Sequence, residues 1–204
     1  QERSLLRAVA ATIQAREVYV MDRNFCVLEF LVAFHQRSAF FVARQHENTP
    51  YKPLTGLKFM GNSATGKVFE QAVEITAPTG EKLQIRRVVV TLNKPTRNDD
   101  NHLIILTNLP KEAADALKVA EFYRARWGIE TAFQKLESHL NSEVNTLGYP
   151  KAALFSFCLA LVAFNIYAIV MAVLQATHPN KMIKDVVSEY YIAQEIDVAM
   201  DGVL

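Results

Sequence analysis

The sequence predicts an α/β fold, and three stretches carry that reading. Residues 17–44 run strand, helix, strand. Residues 45–108 are cut by Gly and Pro into short β-type segments. From Pro110 onward, apolar positions recur at helical spacing. With 204 residues, half of them hydrophobic, the chain can bury one substantial core and an inserted subdomain.

Taken in order, residues 3–15 carry Leu5, Leu6, Val9, Ala10 and Ile13 on one helical face. Glu17 to Met21 reads as a short buried strand ending at Asp22. Asn24 is placed to cap the next helix, which carries Phe25, Leu28, Leu31, Val32 and Phe34. Ala39 to Arg44 is a second strand, and this order predicts a parallel pair joined by a crossover. Val68–Thr76, Leu83–Leu92 and Leu103–Thr107 read as strands, with a hairpin turn at Thr79-Gly80 and a polar loop over Asn93–Asn101. The pattern then predicts a helix over roughly residues 111–141, further helix to about Gln175, and an amphipathic tail. The domain reading is a core formed by residues 1–44 and 109–178, a β-rich insertion over 45–108, and a helical tail over 179–204.

Composition narrows the function classes. A net charge of +1 gives no global basic field, so nucleic-acid binding must rest on a local patch. Cys26 and Cys158 each lie among apolar residues and read as buried thiols, with a reducing cytoplasm as the compartment. Two cysteines and five unpaired histidines build no structural zinc site. Gln1-Glu2-Arg3-Ser4 has neither an initiator Met nor a signal-peptide core, which fits a chain that begins inside a longer protein. From Ala152 to Asn180 there is no Asp, Glu, Lys or Arg. Ser156, Asn165, Gln175 and His178 interrupt that run, so it reads as a buried core helix with no membrane role. A membrane anchor over residues 152–175 is the competing reading.

The densest chemistry lies in Tyr123-Arg124-Ala125-Arg126-Trp127-Gly128-Ile129-Glu130. On a helix, Tyr123, Arg126 and Glu130 fall along one stripe. Phe122, Ile129, Phe133, Leu136 and Leu140 form an apolar stripe about a quarter turn away. A guanidinium grips a phosphate bidentately, a phenol donates to a phosphate oxygen, and the single Trp, Trp127, offers a stacking surface. The plainer alternatives are a surface ion pair between Glu130 and Arg126, worth roughly 0.3–0.5 kcal/mol, and a core-edge role for Trp127. Asp22 stands where ligands bind in open α/β sheets, beyond the carboxyl end of a strand, although an Asp at a helix start is more often a cap. Gly61 to Lys67 resembles a truncated phosphate loop, but Val68 follows where Ser or Thr is needed.

Together these segments resemble the DDE transposases of bacterial insertion sequences, particularly those with the signature Tyr-x2-Arg-x3-Glu-x6-Lys. Tyr123, Arg126 and Glu130 fill its first three slots, and Asp22-Arg23-Asn24-Phe25 is similar to the second-Asp motif. The long apolar helix with Phe164-Asn165-Ile166-Tyr167 is similar to the family's carboxyl-terminal region. The resemblance implies a partial RNase H-like fold with a β-rich insertion and a long carboxyl-terminal helical part. It implies Asp22 and Glu130 as catalytic metal ligands, with Tyr123, Arg126 and Trp127 on DNA. It further implies two Mg²⁺ ions, replaceable by Mn²⁺, and double-stranded DNA partners: terminal inverted repeats and target DNA, bound as a homodimer.

Two departures accompany the resemblance. Before Asp22 the only acids are Glu2 and Glu17, so the first catalytic Asp and the first strands are expected to be missing. The Lys slot holds Glu137, and Lys135 lies about 200° around the helix from it. The alternative reading is an inactive DNA-binding or regulatory remnant of such a transposase.

Overall fold

A computed structural model of the chain describes residues 2–96, 99–128, 131–132, 134, 148–188, 191–192, 194–195 and 198. It divides into two compact units, Gln1–Trp127 and Gly128–Leu204.

The first unit opens with a 3₁₀ turn at Glu2–Leu5 that runs into α1, Leu6–Thr12. Strand β1 spans Val18–Met21, a second 3₁₀ turn spans Arg23–Phe25, and α2 spans Leu28–Gln36. Strands β2 (Phe40–Arg44), β3 (Lys52–Pro53), β4 (Lys58–Asn62), β5 (Gly66–Thr76), β6 (Lys82–Leu92) and β7 (His102–Thr107) follow, and then α3, Ala116–Ala125. The α/β class is as expected, and so are the three long strands after residue 66.

Among the described residues, seven strands form one sheet, ordered β1-β2-β7-β6-β5-β3, with β4 also on β5. β1 and β2 are parallel, Val18 to Met21 facing Phe40 to Ala43. β2 then pairs antiparallel with β7, so the strands of residues 45–108 continue the sheet begun by β1 and β2. That junction is reinforced by side chains. Thr107 Oγ1 donates to the Phe41 carbonyl at 2.6 Å. Asn108 Oδ1 accepts from the Phe41 amide at 2.8 Å, while its Nδ2 donates to the Ala39 carbonyl at 2.9 Å. The amide side chain thus extends the ladder one step past the end of β7, satisfying the Phe41 amide of β2 and the Ala39 carbonyl just before that strand.

Alternation along β2 sends Phe41 and Ala43 to one face and Val42 to the other. Phe30, Leu31 and Phe34 of α2 pack on the first face with Val73, Ile75, Leu83 and Ile85, and Leu6 and Val9 of α1 lie against them. Val119, Ala120 and Tyr123 of α3 pack on the second with Val68, Val88, Val90 and Ile105. Helices therefore cover both faces. Between β5 and β6, Gly80 at φ +86° closes the hairpin, its amide donating to the Ala77 carbonyl at 2.8 Å.

Several boundaries differ from the sequence reading. Asn24 does not cap α2: it lies inside the 3₁₀ turn with Phe25, and α2 starts after Val27 without a side-chain cap. α3 starts at residue 116 rather than near 111, because Asp115 accepts from the Lys118 amide at 2.8 Å and sets the cap there.

In the second unit, α4 spans Pro150–Thr177, and a short α5 spans Ile183–Val186. Only Ala160 of α4 is buried; Phe155, Leu159, Ile166 and Ile169 are exposed, unlike the buried core helix expected. Cys158 is likewise exposed and free, whereas Cys26 is buried as expected. By length and composition α4 is able to cross a membrane, a test that core helices of soluble proteins pass too.

Candidate active site

The site is built where β1 and β2 end side by side. Met21 pairs with Ala43, so Asp22, the first residue past β1, and Arg44, the last residue of β2, stand side by side at the carboxyl ends of parallel strands. Asp22 has extended backbone (φ −75°, ψ 168°) and begins the 3₁₀ turn, its carbonyl accepting from the Phe25 amide at 3.1 Å. Its carboxylate makes no capping bond. The helix-cap role that competes with a functional one is therefore not the one this side chain plays.

The carboxylate instead meets α3. Tyr123 Oη donates to Asp22 Oδ1 at 3.4 Å, a long bond between residues of widely separated segments. Tyr123 is 1% exposed and belongs to the core face of α3 with Ala116, Val119 and Ala120. The sequence places it on a polar stripe beside the core; the structure puts its ring in the core and brings only the hydroxyl to the edge. A Tyr does this readily because its ring is apolar and its tip is polar.

Charge gathers around that hydroxyl. Burial raises the Tyr123 pKa above its usual 10.0; Arg126 opposes the rise, Asp22 adds to it, and Arg44 opposes it. The phenol is thus held protonated as a donor toward the carboxylate. The Arg126 guanidinium lies 5.4 Å from the Tyr123 ring centroid, within cation–π range. Arg126 ends α3 and is partly buried, and Trp127 beside it is 50% exposed.

Arg44 is the participant that the sequence reading missed. Its Nη2 is 2.7 Å from Asp100 Oδ2, which ties the 93–101 loop to the end of β2. The available signal was its position as the charged last residue of an apolar strand parallel to the one ending at Asp22.

Glu130 and Glu137 lie outside the described residues, as do Phe133, Leu136 and Leu140. Among the described residues no group of three or more His, Cys, Asp or Glu side chains could hold a metal ion. Glu17 does not extend the carboxylate set: it precedes β1, at the end of that strand opposite Asp22, and its Oε2 accepts from the Gln14 amide at 2.9 Å and from Tyr19 Oη at 2.7 Å. The Gly61–Lys67 segment is a β-hairpin connection, not a phosphate loop: the Thr65 and Gly66 amides donate to Ser63 Oγ.

Residues 1–166 match the family model described as "Transposase DDE domain". The chain belongs to the DDE transposase family. It is 26% identical to a putative transposase of Sinorhizobium fredii over 176 residues, 81% of this chain and 48% of that protein. Against a putative insertion-sequence transposase of Synechocystis the identity is 29% over 129 residues, 60% of this chain and 32% of the relative. Against a putative insertion-sequence transposase of Escherichia coli it is 40% over 52 residues, 26% and 14% of the two chains. The chain spans about half the length, or less, of these curated relatives. DDE transposases are generally dependent on a divalent metal. The family match runs to residue 166, so the first half of α4 belongs to the shared transposase domain.

Proposed function

We propose that this chain carries part of the active site of an insertion-sequence DNA transposase, which cleaves and joins phosphodiesters at the element's ends. The observation that carries this reading is the convergence of the Asp22 carboxylate, at the end of β1, with Tyr123 of the signature helix.

The donor chemistry of Asp22 fits a divalent cation. Mg²⁺ prefers oxygen ligands, and this carboxylate is partly exposed, makes no cap and receives one long phenol bond. Asp22 and Glu130 would hold Mg²⁺ or Mn²⁺, with a further carboxylate supplied by polypeptide of the whole protein outside this chain. When bound, such metals supply the nucleophile and stabilise the leaving oxygen of an in-line displacement at phosphorus. Tyr123 orients Asp22 from the core side. Arg126 neutralises a phosphate brought to the same edge, and Trp127 offers a half-exposed ring to a neighbouring base. The partners in this reading are double-stranded DNA at the terminal inverted repeats and the target, engaged by a homodimer in the cytoplasm. The domain reading that goes with it is an RNase H-like core in 1–44 and 109–178 with an insertion at 45–108.

A second reading is a noncatalytic DNA-binding remnant. The observation that favours it is the engagement of Glu17 Oε2 by the Gln14 amide and the Tyr19 hydroxyl.

The test uses the whole protein with its upstream sequence. Element-end DNA should be nicked only with Mg²⁺ or Mn²⁺. Asp22→Ala or Glu130→Ala should abolish nicking while gel-shift affinity is retained. Undiminished cleavage by either variant would sink the active-site reading, and no metal-dependent cleavage by the parent protein would favour the remnant.

A further inference from the structure

On the sheet face covered by α1 and α2, the apolar cover stops partway along the long strands. Val73, Ile75, Leu83 and Ile85 lie in that core. At the other end of the same face stand Lys67 and Phe69 of β5, Arg87, Val89 and Thr91 of β6, and His102 and Ile104 of β7. Phe59 of β4 joins them, directly opposite Phe69, and the two rings pack edge-on at 5.5 Å between centroids. Phe59 is nevertheless 56% exposed, and a register irregularity between Phe59 and Gly61 follows it. Such irregularities re-aim side chains.

A third aromatic reaches this face from outside the sheet. Tyr51 lies over the Arg87 guanidinium at 4.7 Å and is itself 37% exposed. Arg87 pairs with Gln71 in the ladder, two positions along from the Phe69–Val89 pair. The aromatic row therefore runs from Phe59 through Phe69 toward Tyr51, with cations Lys67 and Arg87 on either side. None of the strand residues on this end of the face is acidic. The carboxylates of the same strands, Glu70 and Glu74, point to the opposite face, where Glu70 binds Arg86.

We infer that this face is a stacking platform for unpaired DNA bases, with Phe59 as the exposed ring and Lys67 as the cation for the adjoining phosphate. Two exposed rings beside a partly buried one, flanked by positive charge and with no acid among the strand residues of that end, suit single strands, since every base has a π-face and every linkage an anion. A second copy of the chain fits less well. Docked through this same face about a two-fold axis, it would bring Lys67 and Arg87 against like charges across the interface. The inference rests on the DNA-transposase reading for its choice of polymer, but not on the metal site.

The experiment is fluorescence anisotropy of a short labelled oligo(dT) with the 204-residue chain in EDTA. EDTA removes metal-dependent cleavage, so this measurement and the cleavage test can fail independently. Binding should weaken with salt. Phe59→Ala should weaken it by on the order of tenfold, and Phe59→Trp should retain it. Lys67→Glu should weaken it too and flatten the salt dependence. A strand of abasic residues should bind on the order of tenfold more weakly than oligo(dT). Equal affinity for abasic and base-bearing strands, or for Phe59→Ala and the parent, overturns the platform. So does an absence of oligonucleotide binding alongside a concentration-dependent dimer that Phe59→Ala dissociates. Phe59 is mostly exposed, so circular dichroism of the Ala variant should match the parent.

Discussion

Tyr123 donates its hydroxyl hydrogen to Asp22 across 3.4 Å, joining the core face of α3 to the end of β1. The pair couples a side chain that exists to fill space with one whose carboxylate faces the edge of the sheet. The two parts of Tyr123 should therefore separate experimentally.

Removing only the hydroxyl, with Tyr123→Phe, keeps the buried ring and loses one long hydrogen bond. The expected loss of stability is about 1 kcal/mol or less. Tyr123→Ala deletes the ring from the core and should cost about 3–5 kcal/mol. Urea unfolding monitored by circular dichroism distinguishes the two. Equal losses would mean that the ring is not packed as described.

The same residue makes a pH prediction. Its pKa is raised in the folded state, chiefly by burial. The folded state thus holds its proton more tightly than the unfolded chain, whose phenol titrates near 10.0. The associated stability is fully present below that pH and is lost as pH rises through the folded value. Unfolding measured from neutral to strongly alkaline pH should show a fall beginning near the ordinary tyrosine range. Tyr123→Phe should lack that component, and an identical alkaline profile in both proteins would refute the assignment.

The attachment of α3 to the sheet should depend on one ion pair. Arg86 Nε donates to Glu70 Oε1 at 2.7 Å, and Nη1 donates to the carbonyls of Leu109 at 3.0 Å and Ala114 at 2.7 Å. The two side chains are 14% and 12% exposed. Arg86→Met strands a largely buried carboxylate and two carbonyls, and should cost about 3–5 kcal/mol. The double variant with Glu70→Leu should recover part of that loss. A double-mutant cycle with no coupling would show that the pair does not anchor the turn into α3.

The sequence made some of this site legible and concealed the rest for identifiable reasons. Asp22 was readable because an apolar run ending in an acid marks the end of a strand. The parallel pairing of β1 and β2 followed from the strand–helix–strand order. Tyr123 was misplaced relative to the core because its hydroxyl argued for a polar stripe, while only its ring decides which face is buried. Asn24 matched a capping pattern, but the 3₁₀ turn took up that residue and delayed α2. Lys111 to Ala114 have compatible helical propensity, yet the Asp115 cap overrides it. Arg44 is not legible as a site residue in the sequence, since its importance comes from a neighbouring strand end and from Asp100, both remote in sequence. Position within the sheet, more than residue type, was the missing information.

β2 has a parallel neighbour on one side, made within about twenty residues, and an antiparallel neighbour on the other that arrives some sixty residues later. During synthesis the late partner is the costly one, because contacts distant in sequence form slowly. A nascent or truncated polypeptide that stops before His102 would leave Phe41 and Val42 on a strand with one naked edge, a template for self-association. Premature termination inside this reading frame should therefore yield insoluble chains rather than soluble competitors of the intact protein.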